Sequence, residues 1–287
     1  MPVAPANRDA GSGKREGPHS PASAPRFPLH ASWPLRWLLL IDAAGRSGAE
    51  NMATDKALLD DVERRGQVAY LRLYRWQPPC LSFGRNEPAL ARYDRPAIER
   101  LGLDVVRRPT GGRAVWHDDE LTYAVAAPAT ALGCLRDSYV RIHRRLARAL
   151  QALGARATLA PATLKPGALS QGACFAQPVG GEVLLDGRKV VGSAQARQGD
   201  AFLQHGSILL GGSQDIVARI SRGGPPAPRA TSLSAALGHR VAFGDVARAI
   251  AATWLDDGER WIPADGPPIP PPAHPSAFSD PAWTWRR

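Results

Sequence analysis

Hydrophobic and polar positions along the chain recur with two periods, and together they predict a mixed fold. Residues 35–42 read as a strand, and Met52, Leu58, Leu59 and Val62 then fall on one helical face of residues 51–65, which stops at Gly66. Short strands at 68–74 and 80–83 flank Pro78-Pro79, and Asp94 with Pro96 opens a short helix that ends at Gly102. Residues 104–107, 114–117 and 121–126 read as strands, separated by Pro109-Thr110-Gly111-Gly112 and by Asp118-Asp119. The clearest helix follows: Leu135, Tyr139, Ile142, Leu146, Ala149, Leu150 and Leu153 recur at helical spacing until Gly154. Its outer face carries Arg141, Arg144, Arg145 and Arg148, a pattern expected of a solvated surface.

Residues 161–173 form a loop of Pro, Gly and Ser. The hairpin signal after it is strong: residues 182–185 and 188–191 flank Asp186-Gly187, a pair that supplies the positive φ angles of a tight turn. Gly199-Asp200 marks a further turn before a strand at 201–210, and helices are expected at 214–221, 232–237 and 245–255. Strands joined mostly by turns, with helices interspersed, indicate an α+β fold with a largely antiparallel sheet flanked by helices and a small C-terminal helical segment. The expected organisation is a disordered tail (1–32), a domain core (33–212), a helical segment packed on the same domain (213–262) and a Pro-rich tail (263–287).

Composition narrows the class. A chain of 287 residues with 44% hydrophobic positions suits one or two domains with a sizeable core. Its longest strongly apolar run, residues 37–41, falls far short of the roughly 20 residues that cross a bilayer. The first thirty residues hold charge but no apolar stretch of the secretory kind. A cytoplasmic protein without a membrane partner is expected. The three cysteines, Cys80, Cys134 and Cys174, are odd in number and widely spaced, which argues against a disulfide framework and against a metal site. With 36 Lys+Arg against 26 Asp+Glu the net charge is +10, so acidic partners are attracted. The only lysines are Lys14, Lys56, Lys165 and Lys189, so one inside a structured motif stands out.

Several residues could carry chemistry. Arg107-Arg108-Pro109-Thr110-Gly111-Gly112-Arg113 leaves a strand, turns on two glycines and enters another, so its amides and arginines suit a phosphate, carboxylate or carbonyl group. Taken alone, such a turn is also ordinary. His117 beside Asp118 fits an imidazole oriented for proton transfer and equally a packed turn histidine. Cys174 at the end of a Gly-containing loop and Lys189 just past the hairpin turn suit neighbouring strand ends, where the cation would favour a thiolate. A buried small side chain and a solvated lysine are the plainer reading of the same pair. Cys80 reads as a packed strand residue and Cys134 as a helix start without a partner.

From Leu38 to about Trp254 the chain resembles the biotin/lipoate protein ligase superfamily, and within it the lipoate-assembly acyltransferases and ligases. The stretch from Arg107 through His117-Asp118-Asp119-Glu120-Leu121-Thr122-Tyr123 is similar to the family's central motif. Gly187-Arg188-Lys189-Val190-Val191-Gly192-Ser193-Ala194-Gln195 is similar to its lysine motif, and Gln204-His205-Gly206-Ser207-Ile208-Leu209 to the strand behind it. Gly172-Ala173-Cys174-Phe175 resembles the thiol context of the cysteine-dependent octanoyltransferases, whereas Gly84-Arg85-Asn86-Glu87 is closer to a ligase segment whose arginine contacts the lipoate site.

The resemblance implies Cys174 and Lys189 as catalytic residues. It implies Arg85, Arg107, Arg108, Gly111, Gly112, Arg113, His117 and Ser193 around the substrate. The expected activity is transfer of an octanoyl group from acyl carrier protein to a lysine of a lipoyl domain, such as glycine-cleavage H protein or a dehydrogenase E2 subunit, through a thioester on Cys174. No cofactor is then required. The rival within the superfamily is a lipoate ligase that uses ATP and Mg²⁺, and the rival outside it is a non-catalytic binder of acidic protein or nucleic acid. The three ordered motifs favour the enzyme, with no nucleic-acid partner expected.

Overall fold

The computed structural model describes residues 35–162, 179–223, 230–262 and 275–286. In chain order these residues form β1 (Arg36–Arg46), α1 (Gly48–Arg65), β2 (Val68–Trp76), β3 (Cys80–Phe83), α2 (Ala89–Arg92), α3 (Arg95–Arg100), β4 (Asp104–Arg107), β5 (Val115–His117) and β6 (Glu120–Pro128). Then come α4 (Leu135–Ala152), β7 (Ala157–Leu159), β8 (Val183–Leu185), β9 (Arg188–Lys189), β10 (Val191–Gln198) and β11 (Ala201–Leu209). The remainder is α5 (Asp215–Ile220), α6 (Leu233–Leu237), α7 (Phe243–Thr253), β12 (Arg260–Trp261), α8 (Ser276–Ser279) and α9 (Pro281–Thr284).

The main sheet runs β10-β11-β6-β2-β1-β12, with β4-β3-β5 and β7-β8-β9 as smaller sheets. The α+β class is as expected, and β10, β11, β6 and β2 pair antiparallel. β1 lies parallel to both β2 and β12. The parallel pairing of β1 with β2 follows from α1, because a helical crossover returns the chain in the direction it left.

Strand alternation gives the main sheet two apolar faces. Leu71, Leu73, Tyr123, Val125 and Phe202 meet Ile142, Leu146 and Leu150 of α4 and Val246, Ile250 and Trp254 of α7 on one face. Tyr70, Tyr74, Ala124, Ala126 and Leu203 meet Met52, Leu58, Leu59 and Val62 of α1 on the other. α1 begins at a capping box, in which Ser47 and Glu50 satisfy one another's free amides, and it ends on Gly66 at a φ of 66°. It is also unusual in burying polar groups: Asp55 and Asn51 both bind the guanidinium of Arg72, and Asp61 takes the Tyr70 hydroxyl.

The predicted hairpin is present, with Asp186 at a φ of 48° and Gly187 at 74°. Past it the chain continues as β10, which the pattern did not reveal. Residues 193–196 of this strand are half-buried at the edge of the sheet, and Val-Gly-Ser-Ala-Gln-Ala-Arg-Gln lacks apolar alternation.

Two expectations need correction. Arg145 is not part of a solvated face: it is 2% exposed, its guanidinium lies against the rings of Trp37 and Trp254, and Nη2 donates to Asp256 and Glu259. Packing of α7 on α4 and the turn after α7 bring these groups over it. The stretch expected as a Pro-rich tail ends in α8 and α9, with Phe278 of α8 and Trp285 just after α9 buried; residues 263–274 and the expected N-terminal tail lie outside the described residues. No helix among the described residues is long and apolar enough to cross a membrane.

Candidate functional site

The turn between β4 and β5 is held from two sides. Arg108, buried, donates through Nη1 to the carbonyl and hydroxyl oxygens of Ser82 and through Nη2 to the carbonyls of Gly111 and Arg113. Thr110 is joined to β11 through its hydroxyl, 2.6 Å from Nε2 of His205. Gly84 lies so close that a Cβ there would stand 1.9 Å from the Gly112 carbonyl oxygen, so this approach requires glycine. Gly112 itself adopts a φ of 88°.

Two buried histidines each bridge a carboxylate and a hydroxyl beside this turn. His205 places Nδ1 2.9 Å from Asp55, and His117 places Nδ1 2.9 Å from Glu120 and Nε2 2.6 Å from the Ser82 hydroxyl. The carboxylate that orients His117 is therefore Glu120 and not the adjacent Asp118, and the imidazole stacks on Trp76 at 4.0 Å between ring centroids. Burial, opposed by the bond to Asp55, lowers the pKa of His205. Burial would raise Asp55, but His205 and Arg72 outweigh it and hold the carboxyl below its ordinary value.

These groups border a narrow cleft. Met52, Trp76 and Val115 give it apolar walls, while Arg108, His117, Ser193 and His205 supply its polar points. The cleft thus has the character of a small-molecule site: mostly apolar, with few placed polar groups. Ser193 sits on β10 opposite Gly206 of β11, where a Cβ would stand 2.4 Å from the Ser193 hydroxyl oxygen. That hydroxyl is 2.8 Å from Nε2 of His143 on α4 and 2.6 Å from the Tyr123 hydroxyl.

Lys189, 2% exposed, lies on β9 with Nζ 2.7 Å from Oε1 of Glu182. The neighbouring Gly181 carbonyl is 2.8 Å from Nδ1 of His143. One turn thereby holds both the lysine and the histidine. Cys174 lies outside the described residues.

Of the remaining expected residues, Arg108, His117 and Ser193 meet at the cleft, with Gly111, Gly112 and Arg113 in the turn that Arg108 braces. Arg107 does not join them. Its guanidinium donates to the carbonyls of Gly84, Arg85 and Glu87 and to those of Trp283, Thr284 and Arg286 near the C-terminus. Arg85 has an exposed side chain, and its amide donates to the Thr110 carbonyl. Glu182, His143, Tyr123 and Asp55 were not anticipated. A histidine four residues after Tyr139 on the apolar face of α4 was the available signal.

An apolar cleft with a few placed polar groups, on a sheet flanked by helices, defines a domain built to hold a small molecule. Residues 47–254 match the lipoyl protein ligase A/B catalytic domain, and the chain belongs to this family. It is 42% identical over 183 residues to octanoyltransferase LipM of Carboxydothermus hydrogenoformans, a stretch that covers 63% of this chain and 67% of the relative. To octanoyltransferase LipM of Symbiobacterium thermophilum it is 38% identical over 229 residues, covering 74% and 83%. Among solved structures, a bipartite lipoate protein ligase of Thermoplasma acidophilum, described with its E2 lipoyl domain, shares the fold with a TM-score of 0.64 at 19% identity, over 88% of this chain and 96% of that one. The resemblance carried by the three motifs is borne out, and with it the expectation of an enzyme in the acyltransferase class.

Proposed function

We propose that the chain transfers an octanoyl group from acyl carrier protein to a lysine of a lipoyl domain, such as glycine-cleavage H protein or a dehydrogenase E2 subunit, through a thioester on Cys174. The observation that carries this reading is the apolar cleft bordered by both the central turn and β10 of the lysine motif, in a chain whose relatives are named octanoyltransferases. Thiolate attack on the donor thioester forms the Cys174 thioester and releases the carrier thiolate. One thioester replaces another, so this step is close to neutral, and formation of the amide is downhill. No ATP is required.

Lys189 supplies a cation beside the thiol and polarises the acyl carbonyl, while Glu182 fixes the position of Nζ. Val115, Met52 and Trp76 of the cleft line the acyl chain, and the backbone around Gly111 and Gly112 lines the acyl or phosphopantetheine channel.

Incubation with octanoyl carrier protein and no acceptor tests the mechanism by intact mass. Wild type is expected to gain one octanoyl group that hydroxylamine removes, and Cys174→Ser to gain none. Acceptor labelling that needs ATP and free lipoate and survives Cys174→Ala would instead identify a ligase.

A further inference from the structure

Ser193 stands at the end of a hydrogen-bond chain with a fixed direction. The Gly181 carbonyl can only accept, so Nδ1 of His143 carries the proton at 2.8 Å, and the neutral ring presents Nε2 as an acceptor to Ser193. Burial supports the neutral form by pushing His143 down to about 3. The Tyr123 hydroxyl also reaches Nε2, at 3.4 Å, but Ser193 is the nearer partner, so the Ser193 proton points inward, toward the histidine. Behind it, Gln195 donates to Gln204, Gln204 donates to the Tyr123 hydroxyl, and Tyr123 donates to Ser193 at 2.6 Å. A hydroxyl oxygen has two lone pairs, and Tyr123 takes one. The other belongs to an oxygen that borders the cleft. A group so arranged accepts hydrogen bonds; it cannot donate one to an acyl carbonyl without breaking the bond to His143.

We propose that Ser193 is the acceptor that positions the incoming lysine amine, and that His143 is the positioning residue that keeps its lone pair turned to the cleft. The chemistry recognised is an N–H donor, the amine of the lipoyl-domain lysine, so the inference rests on the acyl-transfer reading above. Ser193 Oγ accepts one amine N–H and so restricts the orientation of the nitrogen lone pair. The C–N bond forms, the C–S bond to Cys174 breaks, and the proton lost by the nitrogen passes to the departing thiolate. Amide and thiol result. The Gly181–Glu182 turn places this device beside Lys189, since consecutive residues hold His143 and the lysine.

The two half-reactions separate this role from a structural one. Octanoyl-enzyme is prepared from carrier protein, then chased with a lipoyl domain, using wild type, Ser193→Ala, His143→Asn and the double variant. The chase is expected to fall about 10- to 100-fold in each single variant, the range for a hydrogen bond to a charged or reacting group, and to fall by more than acyl-enzyme formation falls in the same variant. The double variant should lose no more than a further threefold, because both changes remove one device. The pH dependence of the chase between 6 and 9 should keep its shape in His143→Asn, since the ring stays neutral throughout. Equal losses in both half-reactions, an undiminished chase in Ser193→Ala, or additive losses in the double variant would overturn the proposal. If wild type forms no acyl-enzyme, the thioester reading fails by itself, and the same single and double losses are judged on overall amide formation.

Discussion

Arg145 shows how burial changes the meaning of a charge. Nη2 is paired with Asp256 and Glu259, while Nε and Nη1 have no hydrogen-bond partner among the described residues and the guanidinium lies against two indoles. Removing one side of a buried ion pair strands the other. Arg145→Ala is expected to cost about 3 kcal/mol, of the order found when such pairs are broken, and Arg145→Met clearly less because it refills the volume; urea unfolding of the two variants measures both. The sequence read this arginine as solvated because it shares a helix with Arg141, Arg144 and Arg148, and nothing in the spacing shows which of the four α7 will cover. Lys189 was legible for the opposite reason, being a rare residue in a recognisable motif. His117 was half legible: its place was anticipated, but its carboxylate comes from beyond the Asp118-Asp119 turn, three residues away in sequence.

At the scale of elements, those with a clear period or a capping signal were readable. α1, α4 and the Asp186-Gly187 hairpin belong to this group, because apolar spacing and turn chemistry act locally. β10 was missed because it is an edge strand whose side chains are half-buried, and β12 because a strand of two residues has no period. α8 and α9 are single turns after a proline run, held by tertiary contacts rather than by propensity. Their anchor is Arg107, lowered to about 10 by burial and by Arg286, which gives three of its hydrogen bonds to α9 and the residues around it. Deleting residues 275–287 is expected to leave Nε and Nη2 of this buried arginine without their acceptors and to destabilise the fold by about 2–3 kcal/mol. Thermal melts of the shortened chain provide the measurement. An Arg107→Lys variant tests the same tie, because an ammonium cannot serve carbonyls on both sides of the segment.

Across the whole molecule, buried neutral histidines set the response to acid. Folding holds His143 at about 3 against an ordinary value of 6.5, and His205 moves in the same direction. Between those values the unfolded chain binds more protons than the folded one. The stabilisation is therefore complete above about pH 6.5 and is lost as the pH falls toward 3. His143 alone contributes a slope of ~1.4 kcal/mol per pH unit in that window. Urea midpoints are expected to decline steadily from pH 6.5 to 4, and less steeply in His143→Asn.

The hairpin of β8 and β9 acts as a ruler. Gly181 and Glu182 precede it and Lys189 follows its turn, so the lysine reaches its carboxylate only because the loop holds two residues. Side chains alternate along a strand, and one inserted residue at Asp186-Gly187 would carry the ammonium to the opposite side of the pleat while the histidine kept its carbonyl. Loop length, more than the identity of any residue in it, is what keeps the Lys189 ammonium against Glu182 while the preceding Gly181 carbonyl holds His143.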